Sequence, residues 1–371
     1  MKGNANISLR SLGAYLISFM FIFSYTLRMF TQINIVYTNF FVCLSGVLAL
    51  CFIFLNDKFS RRILVYIIIF DIIALVSLVV NGNYEIYRLF MLIAYQGLGL
   101  LIFSRKEILS TFNLYFNLLI GYFFICIFLQ VDPNSLLNSA SANYISILML
   151  TLVILSYIYN IERDKRFPYI RSLLCLIIVI WAGGRSGIIT FSFLIIGAIL
   201  FGDHARNKSK KGFLIIGIKY SITMILSVII IGGIWKYISE MYLSIDNEGR
   251  LFVWNLYWTN TISSLSNIFF GTAMSNEMVF NNYGRNLHNS FLGLHAQFGL
   301  IIFMTFIISI FRLIKSYWND NNKMMIVIVF CMVVRSLTDM AFIPEIFDLV
   351  WYYLIMEFLF RRRSKRRIAE I

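Results

Sequence analysis

The run 286–299, "NLHNSFLGLHAQFG", holds two of the chain's three histidines, His288 and His295. Seven residues apart, they share a face of one helix but stand about 10.5 Å apart along its axis, at 1.5 Å per residue. They cannot both ligate one metal ion, whose donors must lie within roughly 2 Å of it. No further ligands follow at a suitable spacing, so no metal and no cofactor is expected. His295 lies in the apolar part of the run and reads as a core or interhelical polar group. His204, in a basic connection, reads as solvated. His288 sits where a polar loop becomes apolar, three residues after Arg285. A nearby cation disfavours imidazolium, and a neutral imidazole can act as a general base. Beside a diphosphate, it could take the proton of a sugar hydroxyl that attacks a diphosphate-linked anomeric carbon. Asn289 could orient a sugar or cap the helix that follows.

The elements that hold these residues must lie in a membrane. The 371 residues are 60% hydrophobic and 17% aromatic, far beyond what a soluble domain carries. About 12 segments approach the roughly 20 apolar residues of a transmembrane helix: 11–30, 33–55, 63–80, 86–103, 109–130, 143–160, 168–183, 186–202, 212–235, 290–311, 324–342 and 345–360. Most Lys and Arg fall in alternate connections, among them Arg61 and Arg62, Arg105 and Lys106, Arg163 to Arg166, Lys208 to Lys211, and Arg312, Lys315 and Lys323. Both termini share that side, the carboxyl-terminal one through "RRRSKRR". Basic connections stay in the cytoplasm, so both termini are expected there. The net charge of +14 is then an orientation signal and not a nucleic-acid surface. The five cysteines sit in apolar runs and read as small buried packers. The expected fold class is an all-α polytopic membrane protein, residues 1–371 forming one transmembrane domain. One long external loop, 236–289, interrupts it. Within the loop, Trp254, Tyr257 and Trp258 suit a helix lying in the headgroup layer.

Several basic residues break the pattern. Arg28, Arg88, Arg185, Lys236, Arg250, Arg285 and Arg335 all map to the external half, and all but one are arginine. An arginine facing lipid within a span, as Arg335 would, costs roughly 2.5–3.5 kcal/mol on the insertion scale. Two explanations stand. The arginines pair with acidic groups such as Glu85, Glu240, Glu277, Asp339 or Glu345, or their planar forks bind phosphate oxygens. On the second reading Arg185, Arg250, Arg285 and Arg335 line an external pocket for a lipid-linked diphosphate. They would stabilise the charge building on the leaving group.

Three stretches carry a family resemblance. "WAGGRSGIITFSFLIIGA" contains Arg185, "GRLFVWNLYW" contains Arg250, and "GRNLHNSFLGLHAQFGLIIF" places Gly299 eleven residues after His288. Together they resemble the O-antigen polymerase and O-antigen ligase superfamily. "IFFGTAMSN" is similar to that group's glycine segment but keeps one glycine, Gly271. The resemblance implies a glycosyltransferase C-like fold and a metal-independent reaction at the periplasmic face of the bacterial inner membrane. It implies a polysaccharide polymerase that transfers a glycan from an undecaprenyl-diphosphate donor to a lipid-linked repeat unit. His288, Arg250 and Arg185 would be catalytic, and Trp254 or Asn289 would touch sugar. The implied partners are the undecaprenyl-diphosphate-linked oligosaccharide, membrane lipid, a chain-length regulator and a flippase. Two alternatives remain. A ligase would transfer the glycan to lipid A core, and a flippase or transporter for lipid-linked oligosaccharide would use charges near mid-membrane, of which Asp71 is the main one.

Overall fold

The computed structural model describes residues 9–56, 61–82, 86–138, 141–161, 167–201, 232–233, 250–272, 287–342 and 344–369. Among these the only regular structure is helical. The apolar helices are α1 (Leu9–Phe30), α2 (Ile35–Asn56), α3 (Arg61–Val80), α4 (Tyr87–Ser104) and α5 (Leu109–Phe128). A short α6 (Pro133–Leu136) precedes α7 (Asn143–Ile161), α8 (Tyr169–Trp181) and α9 (Arg185–Phe201). Then come α10 (Arg250–Ile262), α11 (Leu265–Phe270), α12 (Ser290–Asn319), α13 (Lys323–Leu337) and α14 (Asp348–Ala369). Six of them are long and apolar enough to cross a membrane, which marks a membrane protein. The expected segment 212–235 lies outside the described residues apart from 232–233, as does most of the loop 236–289.

Hydrogen bonds sort the helix ends into two groups. At one end, the close of α1 meets the approach to α14 through Arg28 and Glu345, and the start of α7 meets the close of α13 through Asn143 and Arg335. At the other, Ser11 near the start of α1 bonds Glu107 before α5 (3.4 Å), and Tyr169 at the start of α8 bonds Ala198 O near the close of α9 (2.8 Å). Arg171 at the start of α8 reaches Asn113 of α5 and Ser156 of α7. The successive helices α7, α8 and α9 thus alternate in direction.

Small residues let helices approach closely, as packing without a hydrophobic driving force requires. A methyl group at Gly46 of α2 would strike the backbone of Ala94 on α4, and one at Gly97 would strike Gly46 O. Gly99 opens the opposite face of α4 to Tyr352 and Leu349 of α14.

The longest helix, α12, is kinked at Gly299, whose φ of 74° and ψ of −177° are not helical. That region is open essentially to glycine alone. The kink lets α11 lie against α12. A methyl at Gly299 would meet Phe269 O and Phe270, and one at Gly271 would meet the carbonyls of His295 and Ala296. Such a break strands carbonyls where lipid offers no donor. Asn81, just past α3, meets that need: its Nδ2 lies 3.1 Å from Phe270 O, 3.2 Å from Ala296 O and 3.3 Å from Gln297 O.

Some boundaries differ from expectation. α12 runs on to Asn319, so Arg312 and Lys315 lie on the helix and not in a connection. α13 stops at Leu337 and not near 342, because the Thr338 side chain takes the carbonyl of Arg335 (3.0 Å). Arg335 is therefore in the last turn of its helix and not two turns inside. α14 starts at Asp348 and not at 345; the Asp348 carboxylate accepts the Glu345 N–H at 3.0 Å and shapes the turn before it.

Gly299→Ala is expected to lower the unfolding free energy by roughly 1–3 kcal/mol from backbone strain alone. The measurement is thermal unfolding of purified protein in detergent, and an unchanged midpoint would mean that the kink is not there.

Candidate functional site

His288 stands between two fixed points. On its amino-terminal side, the carbonyl of Leu287 accepts the Trp254 indole N–H from α10 at 2.7 Å, and Leu287 is buried against Val253, Tyr257 and Ala296. On its carboxyl-terminal side, Asn289 Oδ1 accepts the amides of Phe291 (2.9 Å) and Leu292 (3.2 Å), capping α12. Caught between them, His288 takes a φ of +48°. Left-handed backbone in a residue with a side chain is uncommon and persists only when its surroundings over-determine it. The neighbours Leu287, Asn289 and Ser290 are buried, whereas the His288 side chain is 35% exposed.

His288 Nδ1 faces Asp339 Oδ1 at 4.0 Å, and the other oxygen of that carboxylate lies 3.4 Å from Arg335 Nη2. The carboxylate is held in place. Ser290 donates to Asp339 O (2.7 Å) and accepts the Ala341 amide (2.7 Å), and Met340 N–H bonds Asp339 Oδ1 (2.9 Å).

Arg335 has no exposed surface. Its Nε donates to Ser146 Oγ (3.0 Å), Nη1 to Thr338 Oγ1 (3.1 Å), and Nη2 to Asn143 O (3.0 Å) as well as to Asp339. This corrects the expectation that Arg335 meets substrate phosphate. Every nitrogen of the fork is engaged with protein, and the group is sealed from the open side. Internal pairing, the first of the two explanations for external arginines, holds for Arg335. It also holds for Arg28, which pairs with Glu345 at 3.5 Å.

The start of α7 joins these groups. Asn143 and Ser146 receive Arg335, while Tyr144 between them donates its hydroxyl to Glu345 Oε2. Tyr25 in turn donates to the Tyr144 oxygen at 3.3 Å. Asn143 and Ser146 also abut the start of α9. A methyl at Gly187 would strike the Ser146 side chain, and one at Gly184 would touch Asn143 Oδ1. Gly183, with a φ of +69°, makes the turn between α8 and α9. It leaves Arg185 exposed at the first position of α9, beside the residues that hold Arg335.

Arg250 begins α10, the helix that carries Trp254, and Arg285 lies outside the described residues. Asn289 is a helix cap, buried, with its carbonyl oxygen engaged, and not a surface group reaching for sugar. The Trp254 N–H holds the backbone next to His288. Of the three aromatics expected in the headgroup layer, Trp258 is exposed, but Tyr257 is fully buried. Its hydroxyl meets His295 Nδ1, and His295 Nε2 lies 2.8 Å from Ile268 O. A carbonyl only accepts, so Nε2 carries the proton and Nδ1 accepts from tyrosine. Burial pushes the Tyr257 phenol well above its ordinary range, keeping it a donor. His295, with both nitrogens bonded, docks α10 and α11 onto α12.

Sequence reasoning missed Asn81, Tyr144 and the role of Asp339 as the link between His288 and Arg335. Asp339 and Arg335 are four apart, a spacing that allows pairing at a helix end; nothing in the sequence aims the same carboxylate at residue 288. Among the described residues no three His, Cys, Asp or Glu side chains converge as metal ligands would. No family model, curated protein or solved structure matches the chain.

Replacing Arg335 by methionine should cost roughly 3–5 kcal/mol, because it leaves Asp339 without its buried counter-charge. Adding Asp339→Asn should restore part of that loss. A double-mutant cycle read by thermal unfolding checks it, and simple additivity would mean that the pair is not coupled.

Proposed function

We propose that the chain is a membrane glycosyltransferase of the O-antigen polymerase type. On this reading it has about 12 transmembrane helices in a glycosyltransferase C-like arrangement and sits in the bacterial inner membrane. Both termini are cytoplasmic, and the His288 end faces the periplasm. It transfers a glycan from undecaprenyl diphosphate to a hydroxyl of the next lipid-linked repeat unit. The observation that carries the reading is His288 itself: a strained, partly exposed imidazole clamped on both sides, with a carboxylate on its Nδ1 side.

The chemistry follows from that placement. Asp339 favours a proton on Nδ1, which leaves the lone pair on Nε2 to accept the proton of the attacking hydroxyl. The 4.0 Å separation is longer than a hydrogen bond, as is common before substrate is bound. Arg335 orients Asp339 and is a positioning residue. Arg185, exposed beside it, and Arg250 with Arg285 are assigned to the diphosphate, where a planar fork matches paired phosphate oxygens. Negative charge grows on the leaving diphosphate as the anomeric bond breaks, so fixed cations there stabilise the transition state more than the ground state.

The test mixes purified protein with lipid-linked repeat units alone. Ladder formation is expected. Products that appear only once lipid A core is added would select the ligase alternative. His288→Ala should slow transfer by about 10²–10⁴-fold, the range for a lost general base, with an unchanged unfolding midpoint. Arg185→Lys should lose activity as well, since a point charge does not replace a fork. Wild-type turnover in His288→Ala would remove the base assignment.

A further inference from the structure

Asp71 lies at the middle of α3, roughly 15 Å from either end at 1.5 Å per residue, within "IIIFDIIALV". Among the described residues its hydrogen-bond partner is Gln96 of α4, whose Nε2 donates to Asp71 Oδ1 at 2.8 Å. Gln96 is 1% exposed, and its other amide atom, Oε1, is buried without a partner. A carboxamide presents its donor and acceptor side by side. With Nε2 on one oxygen of Asp71, the second oxygen of that carboxyl is a candidate partner for Oε1. A carboxylate has only acceptors and offers Oε1 nothing. A carboxylic acid has the missing donor.

Among the described residues, few charged or titratable groups surround this pair. On α3 the apolar run 65–80 holds no other charge, α11 has no titratable side chain, and α12 has none between His295 and Arg312. From α14 the Tyr352 phenol lies close enough to feel both Asp71 and Gln96, with Asp348 beyond it. The Tyr352 hydroxyl interacts with the Gln96 side chain but makes no hydrogen bond of normal geometry. Gln96 apart, Tyr95 on α4 is directed to Arg28 at 3.5 Å. Among the described residues no cation is paired with Asp71, and an unbalanced charge at mid-bilayer is costly.

We propose that Asp71 is a proton-binding site at mid-membrane, held as a neutral carboxylic acid paired with the Gln96 carboxamide through two hydrogen bonds. Oδ1 accepts from Nε2, and the protonated oxygen donates to Oε1. Loss of the proton to water breaks the second bond and leaves a charge among apolar helices. The pair joins α3 to α4, and α3 is followed directly by Asn81, the residue that clamps the α12 kink. The proton therefore fixes the helix that holds the break behind His288.

Infrared difference spectroscopy tests this independently of any activity. Wild type minus Asp71→Asn, at neutral pH in detergent, should contain the carbonyl stretching band of a neutral acid. That band should vanish in strong alkali. Asn at this position can make both bonds to the amide, so the variant should fold with an unchanged unfolding midpoint. A spectrum in which only carboxylate bands are lost would overturn the proposal. Should Asp71→Asn not fold, Gln96→Leu serves instead: the neutral-acid band should move to higher frequency once its partner is gone, and an unmoved spectrum rejects the pair.

Discussion

A guanidinium with no exposed surface sets the terms for one end of this protein. Arg335 cannot be hydrated where it lies, and an uncompensated buried charge is among the most destabilising features a fold can carry. Its neighbours must therefore supply acceptors for every nitrogen. They come from the turn after its own helix, from Asp339, and from Asn143 and Ser146 at the start of α7. Satisfying one side chain thus fixes the end of α13 and the segment after it against the start of α7. Asp339 is the piece that also faces His288, so the direction of the imidazole depends on a charge it does not touch. A second neutralised pair, Arg28 with Glu345, adjoins the first through Tyr144. Helices that meet lipid elsewhere are locked together here by paired charges.

The same region shows how strain and support are distributed. His288 has a backbone conformation that a side chain disfavours, held by a cap on one side and an indole tether on the other. The tether comes from α10, and α10 is itself held by His295 and Tyr257. The two histidines thus divide the work between them. One has both ring nitrogens bonded and fastens a hairpin. The other keeps part of its ring exposed beside a carboxylate. Sequence spacing presents them as a pair, yet they serve different ends of one scaffold.

Backbone satisfaction in lipid governs the kink in the same way. A helix broken at Gly299 would leave carbonyls with no water to bond, and a single asparagine amide just past α3 spans two of them together with the Phe270 carbonyl of α11. This is why α3 matters to the site. It is also why a polar pair at its centre, Asp71 with Gln96, bears on a region half a membrane away.

By itself the sequence determined the class of protein and the frame. Runs of apolar residues of a set length, with basic residues in alternate connections, admit helices in a membrane and little else, and the described helices other than α6, α10 and α11 fall on expected runs. The sequence also picked out the residues with unusual chemistry, because a histidine at a polar boundary and an arginine against the orientation rule both cost free energy and so stand out singly. Only the tertiary structure decided what those residues do. Whether Arg335 meets phosphate or Asp339, whether Tyr257 meets lipid or His295, and whether Asn289 meets sugar or the amides of α12 are questions of direction and distance between helices far apart in the chain. Those directions follow from the packing of glycines and the pairing of buried charges, and residue type and spacing along one strand of text do not encode them.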